Sequence, residues 1–139
     1  MKTIGIIGSR RRNSEEDFKQ LEKKFLEIYK DGDAIVSGGC ATGGDRYAEI
    51  LAKKYQVTIK IYYAQWDKIG KGAGFARNTY IAKDSDVLIS LCASDRTGGA
   101  EDTIKKATKM NKEIIILMPP EASNPPNTKE NNDILDLSI

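Results

Sequence analysis

The chain of 139 residues contains no histidine. That removes the Ser-His-Asp type of nucleophilic triad, histidine-ligated metals and the side chain that titrates most readily near neutral pH. Cysteine is almost as scarce. Cys40 and Cys92 are the only two, and no CxxC pair occurs. A zinc knuckle is therefore excluded and a disulfide framework is unsupported, so both are expected to be reduced thiols of a cytoplasmic protein. All four prolines are confined to Pro119–Pro126, and the one tryptophan, Trp66, stands in a polar stretch. No apolar run approaches the roughly 20 residues of a membrane span, and the first residues carry no signal-peptide core. No membrane partner is expected. A charge excess is missing too: 22 Lys+Arg against 20 Asp+Glu leave a net charge of +2. A dedicated duplex-DNA binder needs a concentrated basic face, so nucleic acid is not expected as a partner.

What is present is a regular alternation of strand and helix patterns. Residues 3–7 form a short apolar β run that stops at Gly8-Ser9. Ser14 with Asp17 three positions on resembles a capping box, and Phe18, Leu21, Phe25, Ile28 and Tyr29 follow at helical spacing. Gly32 is placed as the C-cap of that helix. Ala34-Ile35-Val36 reads as a second strand. Thr42 and Asp45 resemble another box, opening a helix with Tyr47, Ala48, Leu51, Ala52 and Tyr55 inward. Residues 57–62 alternate as a third strand, a helix is expected over 74–83, and residues 86–91 read as a fourth strand. A helix over 99–111 and a strand over 114–117 complete the pattern. Strands that are continuous apolar runs are covered on both faces, as in a parallel sheet. The expected fold is α/β: a Rossmann-like, doubly wound, five-stranded parallel sheet in the order 3-2-1-4-5 with helices on both faces. The domain is placed at residues 1–118, followed by a Pro-rich extended tail over 119–139 whose last residues, 134–139, turn apolar again.

Ten of the twelve glycines (8, 38, 39, 43, 44, 70, 72, 74, 98 and 99) fall in four segments that follow strands. In an open α/β sheet such loops gather at the carboxyl edge, where ligands bind. Glycine lets backbone approach a ligand closely, and helix N-termini at the same edge suit an anion. An anionic ligand is therefore expected there, against the plainer reading that the glycines only make tight turns. The first loop offers Gly8, Ser9 and Arg10, the arginine placed for a bidentate grip on phosphate. Arg11 and Arg12 are read as a solvated basic loop. The second loop offers Ser37, Gly38, Gly39, Thr42, Gly43 and Asp45. It is neither a Walker A nor a GxGxxG sequence, so standard nucleoside-triphosphate and NAD readings lack support. Asp45 either caps its helix or grips a ribose hydroxyl. The third segment offers Trp66, which stacks on a base, walls a pocket or closes the core, and Arg77-Asn78 in the first turn of a helix. The fourth offers Gly98 and Gly99 at another helix start. Glu101 and Asp102 there either complement the helix dipole or supply a catalytic acid. No cofactor and no metal are implied.

Taken in order, Gly-Ser-Arg (8–10), Ser-Gly-Gly-x-Ala-x-Gly-x-Asp-Arg-x-Ala-Glu (37–49), Trp-x-Lys-x-Gly-x-x-Ala-Gly-x-x-Arg-Asn (66–78), Ser-Asp-Val-Leu-Ile (85–89) and Gly-Gly-Ala-x-Asp (98–102) resemble the SLOG superfamily. Within it they are most similar to the small YspA/YpsA-type branch. The resemblance runs from about residue 3 to 117, and the segment 66–78 is its most specific part. It implies a domain that binds a nucleotide or nucleotide-derived small molecule such as AMP, ADP-ribose or a cyclic relative, as a sensor or sequestering module. Ser9, Arg10, Gly38, Gly39, Gly43, Asp45, Arg77, Gly98 and Gly99 would then form the site. Lonely Guy phosphoribohydrolases and DprA-type DNA-processing proteins are relatives by this resemblance. An N-glycosidase is the alternative, with Glu101, Asp102 and Arg77 as its catalytic residues, and a DNA-binding accessory role is a remote third. The chain departs from the hydrolase motif: residues 97–102 are a shortened form without the second Gly-Thr or the glutamate at its usual spacing. The resemblance also implies a homodimer, and Tyr62, Tyr63, Trp66, Phe75 and Tyr80 cluster as candidate interface aromatics.

Overall fold

The computed structural model describes residues 1–40, 43–65 and 70–120. Within them the order is β1 (Thr3–Gly8), α1 (Glu15–Ile28), β2 (Ala34–Gly38), α2 (Gly44–Tyr55), β3 (Ile59–Tyr62), a single 3-10 turn (Gly70–Gly72), α3 (Ala73–Asp84), β4 (Val87–Leu91), α4 (Gly99–Lys109) and β5 (Glu113–Leu117). All five strands pair in parallel in the order β3-β2-β1-β4-β5, as expected for a Rossmann-like α/β fold. β1 is the central strand. Its Gly5 stands in register with Val36 on one side and Leu88 on the other.

Alternation along each strand divides the core into two layers. Ile4 and Ile6 of β1, Ile35 of β2, and Val87, Ile89 and Leu91 of β4 meet Leu21 and Phe25 of α1 and Ala48 and Leu51 of α2. Ile7, Val36 and Leu88 face the other way, onto Ile81 and Ala82 of α3 and Ile104 and Ala107 of α4. Each fully buried aliphatic side chain contributes about 1.5–3 kcal/mol relative to its exposed state. β4 is buried at all five positions, which is why it reads in sequence as an apolar run interrupted only by Ser90.

Several boundaries depart from the sequence pattern. The capping box of α1 forms: Ser14 Oγ accepts from the Asp17 N–H and the Asp17 carboxylate accepts from the Ser14 N–H, both at 3.1 Å. The helix stops at the Tyr29 C-cap, before Gly32, which instead takes a left-handed turn (φ 93°) ahead of β2. α2 has Gly43 as its N-cap, with no capping side chain, so Asp45 does not cap it. Thr42, expected to do so, lies outside the described residues, as does the chain beyond Pro120. β3 begins at Ile59 rather than Val57.

Arg12 is the largest correction. It is not solvated but 3% exposed. Its Nε donates to Asp17 Oδ1 at 2.7 Å, its Nη1 donates to the carbonyls of Cys92 and Leu117 at 2.7 and 2.8 Å, and its Nη2 donates to Gln20. One guanidinium thus ties the start of α1 to the ends of β4 and β5. Burial pushes the Asp17 carboxyl up, but the bonds from Arg12 and Ser14 outweigh it and hold the group below its ordinary value.

Candidate ligand-binding site

Crossovers in a parallel sheet return every strand in the same direction, so the loops after β1, β2 and β4 open at one edge. There the structure forms a cleft of about 340 Å³. Gly8, Ser9 and Arg10 line it from the first loop, Asp45 from the first turn of α2, Arg77 and Asn78 from the second turn of α3 rather than its first, and Gly98 and Gly99 from the start of α4. Arg11, Cys40, Ala100 and Thr103 complete its polar and small-residue wall, with Ile7 and Ile81 at the base. Among the described residues no aromatic side chain lines this cleft.

The two arginines singled out from sequence behave differently. Arg10 is exposed and makes no hydrogen bond or ion pair with a described residue, so its guanidinium is free for an anion. Arg77 is positioned by its neighbour: its Nε donates to Asn78 Oδ1 at 3.0 Å. Asn78 is buried, and its amide donates to Asp102 Oδ2 at 3.1 Å, which also receives Lys106 Nζ at 2.7 Å. A chain Lys106–Asp102–Asn78–Arg77 therefore fixes the orientation of the arginine and leaves its two terminal nitrogens unused by that chain. Arg11 is engaged elsewhere, in a two-pronged pair with Asp95 at 2.8 and 3.0 Å and a bond to Thr97 Oγ1 at 2.7 Å.

The glycines carry different burdens. A Cβ on Gly44 would lie 2.4 Å from the Ile7 carbonyl oxygen, so that glycine is required for α2 to dock on β1. A Cβ on Gly38 would lie 2.7 Å from Arg77 Nη1 and 2.8 Å from Asp45 Oδ2. A Cβ on Gly99 would meet no described atom within 4 Å, and its φ is not in the left-handed region. Neither packing nor backbone conformation asks for glycine there, yet it lines the cleft. Gly98 is accounted for by its φ of 114°. Neither α2 nor α4 has a side chain that caps its first turn, although Asn13 Oδ1 accepts from the Gly43 N–H at 3.1 Å at the start of α2.

Asp45 is the carboxylate of the cleft. It is 8% exposed and accepts a long bond from Ser37 Oγ at 3.4 Å. Burial pushes its carboxyl up to about 6, against the pull of Arg77, Ser37 and Arg10. Ser37 itself is fully buried and donates to the Ile6 carbonyl, so it supports Asp45 and does not line the cleft. Gly43 is packed on the Ser9 carbonyl and Gly39 beneath Tyr63, both behind the wall. Glu101 and Asp102 do not line the cleft either. Glu101 is paired through both oxygens with Arg96 at 2.8 and 2.9 Å, and Asp102 belongs to the chain that orients Arg77. Thr42 and Trp66 lie outside the described residues. Arg11, read from sequence as solvated, lines the cleft, and Cys40, Ala100 and Thr103 escaped the sequence reading, although each adjoins a residue in a glycine-rich loop or the helix start after it.

Among the described residues no group of three or more His, Cys, Asp or Glu side chains could hold a metal ion, and no helix is long and apolar enough to cross a membrane. Cys40, half-buried at the cleft, and Cys92, buried in the core, are not joined by a disulfide. No family model, curated protein or solved structure matches the chain.

Proposed function

We propose that the cleft binds a nucleotide or nucleotide-derived small molecule, AMP, ADP-ribose or a cyclic relative, as a sensing or sequestering module of the SLOG type. The observation that carries this reading is the convergence of Arg10, which forms no hydrogen bond or ion pair with a described residue, and an oriented Arg77 on a cleft that also receives the starts of α2 and α4. Two guanidinium groups and two helix N-termini supply the donors and positive potential that a phosphate requires. A bare phosphate site would have no use for a buried carboxylate. Asp45 is an acceptor in the same cleft, and a ribose hydroxyl is the donor that suits it. Phosphate and sugar diol together describe a nucleotide better than a simple anion.

The hydrolytic alternative loses support from the side-chain partners. A catalytic acid must reach the reacting bond, whereas Glu101 and Asp102 are committed to Arg96, Asn78 and Lys106. Titration calorimetry with AMP and with adenosine tests the reading. AMP is expected to bind with clear heat and adenosine far more weakly, and incubation with AMP is expected to release no free adenine. Equal affinity for the two would remove the phosphate from the account.

A further inference from the structure

A second cavity, of about 260 Å³, opens on the other side of Arg77. Tyr62, Tyr63 and Tyr80 line it, with the small residues Ala73 and Ala76. We propose that this cavity takes the heteroaromatic ring of the ligand whose anionic end occupies the main cleft, with Tyr63 and Tyr80 as its stacking surfaces. The proposal rests on the reading of the main cleft as a phosphate site and names what occupies the space beside it.

Three observations carry it. First, Arg77 lines both cavities, so the two are adjoining rooms with one guanidinium between them. Second, the rooms are chemically sorted. The main cleft holds arginines, a carboxylate and glycine backbone but no aromatic ring among the described residues, and it lies near the lower end of the volume of small-molecule sites. Among the described residues a base would find no stacking partner there. The second room has three tyrosines. Third, the wall between them is continuous. Arg77 Nη1 occupies the space above Gly38, and the Tyr63 ring occupies the space above Gly39, where a Cβ would come within 2.2 Å of it. Consecutive glycines thus seat a guanidinium and an aromatic ring side by side, which is the order in which a phosphorylated nucleoside presents phosphate and base.

Tyr62 and Tyr80 hold each other, yet the room remains open. Tyr62 donates its hydroxyl to Asp84 and stacks on Tyr80 with centroids 5.4 Å apart and planes 21° from parallel. Tyr80 is nevertheless 52% exposed and Tyr63 is 65% exposed. Phenol rings fixed on one side and exposed on the other lose little freedom when a base is laid on them.

The test compares ribose 5-phosphate with AMP, GMP and UMP by calorimetry, using the full chain and the variants Tyr63→Leu, Tyr80→Leu and Tyr80→Phe. In the unaltered protein at least one monophosphate is expected to bind about tenfold or more tightly than ribose 5-phosphate, the usual worth of a stacked base. Tyr63→Leu and Tyr80→Leu should each reduce that advantage while leaving ribose 5-phosphate affinity unchanged, and Tyr80→Phe should keep it. If ribose 5-phosphate binds and no base adds affinity, the ring compartment is overturned and the phosphate site stands. If the advantage persists in both leucine variants, the ring lies elsewhere and the proposal fails. Loss of ribose 5-phosphate binding together with a change of sedimentation in those variants would make the tyrosines an interface between subunits, which also overturns it. If neither ribose 5-phosphate nor any monophosphate binds, the reading of the main cleft fails first.

Discussion

Single residues show where sequence chemistry is legible and where it is not. Arg10 was identifiable because it closely follows the end of β1, and Arg77 because it stands near the beginning of a helix that starts from the same edge. Arg12 was misread because sequence gives no sign of its partners: two of its acceptors are the carbonyls of Cys92 and Leu117, 80 and 105 positions away. Removing one partner of a buried pair leaves the other charge uncompensated, at a cost of about 3–5 kcal/mol. Arg12→Ala is therefore expected to lose about that much in a urea melt, whereas Arg11→Ala, at an exposed pair, is expected to change stability little.

Asp45 has the opposite energetic sign. Its folded pKa, about 6, lies above its ordinary value of 3.8. Between those values the folded state holds a proton that the unfolded chain has lost. Its contribution therefore favours folding in acid and is lost as pH rises toward 6, leaving a buried charge at neutral pH. Asp45→Asn keeps an acceptor for Ser37 and removes that charge. It is expected to raise stability at pH 7 by about 1–3 kcal/mol and to change it little at pH 4, while weakening nucleotide binding. Melts of the two proteins across pH 4–8 check the sign: a variant less stable at pH 7 would contradict it. A residue that costs stability but lines the cleft is understandable when its task is to hold ligand.

At the scale of elements, apolar runs and helical periodicity located the five strands and four α-helices of the described chain, but not the 3-10 turn at Gly70–Gly72. The ends were less legible. α1 stops at Tyr29, with the Tyr29 N–H still donating to the Phe25 carbonyl, and Gly32 serves the following turn instead. The start of α2 depends on the close approach of Gly44 to β1, which no local pattern reveals. The glycines at the starts of α2 and α4 separate structural from functional demand. Gly99→Ala meets no steric obstacle and should leave stability unchanged or raise it by about 0.5–1 kcal/mol. It places a methyl group in the cleft, so nucleotide affinity should fall. Gly44→Ala should instead prevent normal folding. Thermal melts with and without AMP distinguish the two, and a Gly99→Ala protein that binds AMP as the unaltered chain does would remove α4 from the site.

For the whole molecule, the sheet order followed from sequence because parallel strands, right-handed crossovers and one reversal at β1 leave few alternatives. The division of the sheet's carboxyl edge into a charged cleft and an aromatic room was not legible. It depends on how α3 rotates about its axis, which places Arg77 between the two and Tyr80 on the far side. The carboxylates showed the same limit: Glu101 and Asp102 stood at the right helix start, but their partners Arg96, Asn78 and Lys106 turn them to structural use.

The central claim is that one cleft at the sheet edge grips a phosphate through Arg10 and Arg77. Calorimetric titration of AMP into Arg77→Ala tests it most directly, with folding verified by an unchanged melt. The account predicts a loss of about 1.5–3 kcal/mol in binding, the usual worth of a charge-assisted hydrogen bond. An Arg77→Ala protein that is folded and binds AMP as tightly as the unaltered chain would contradict it.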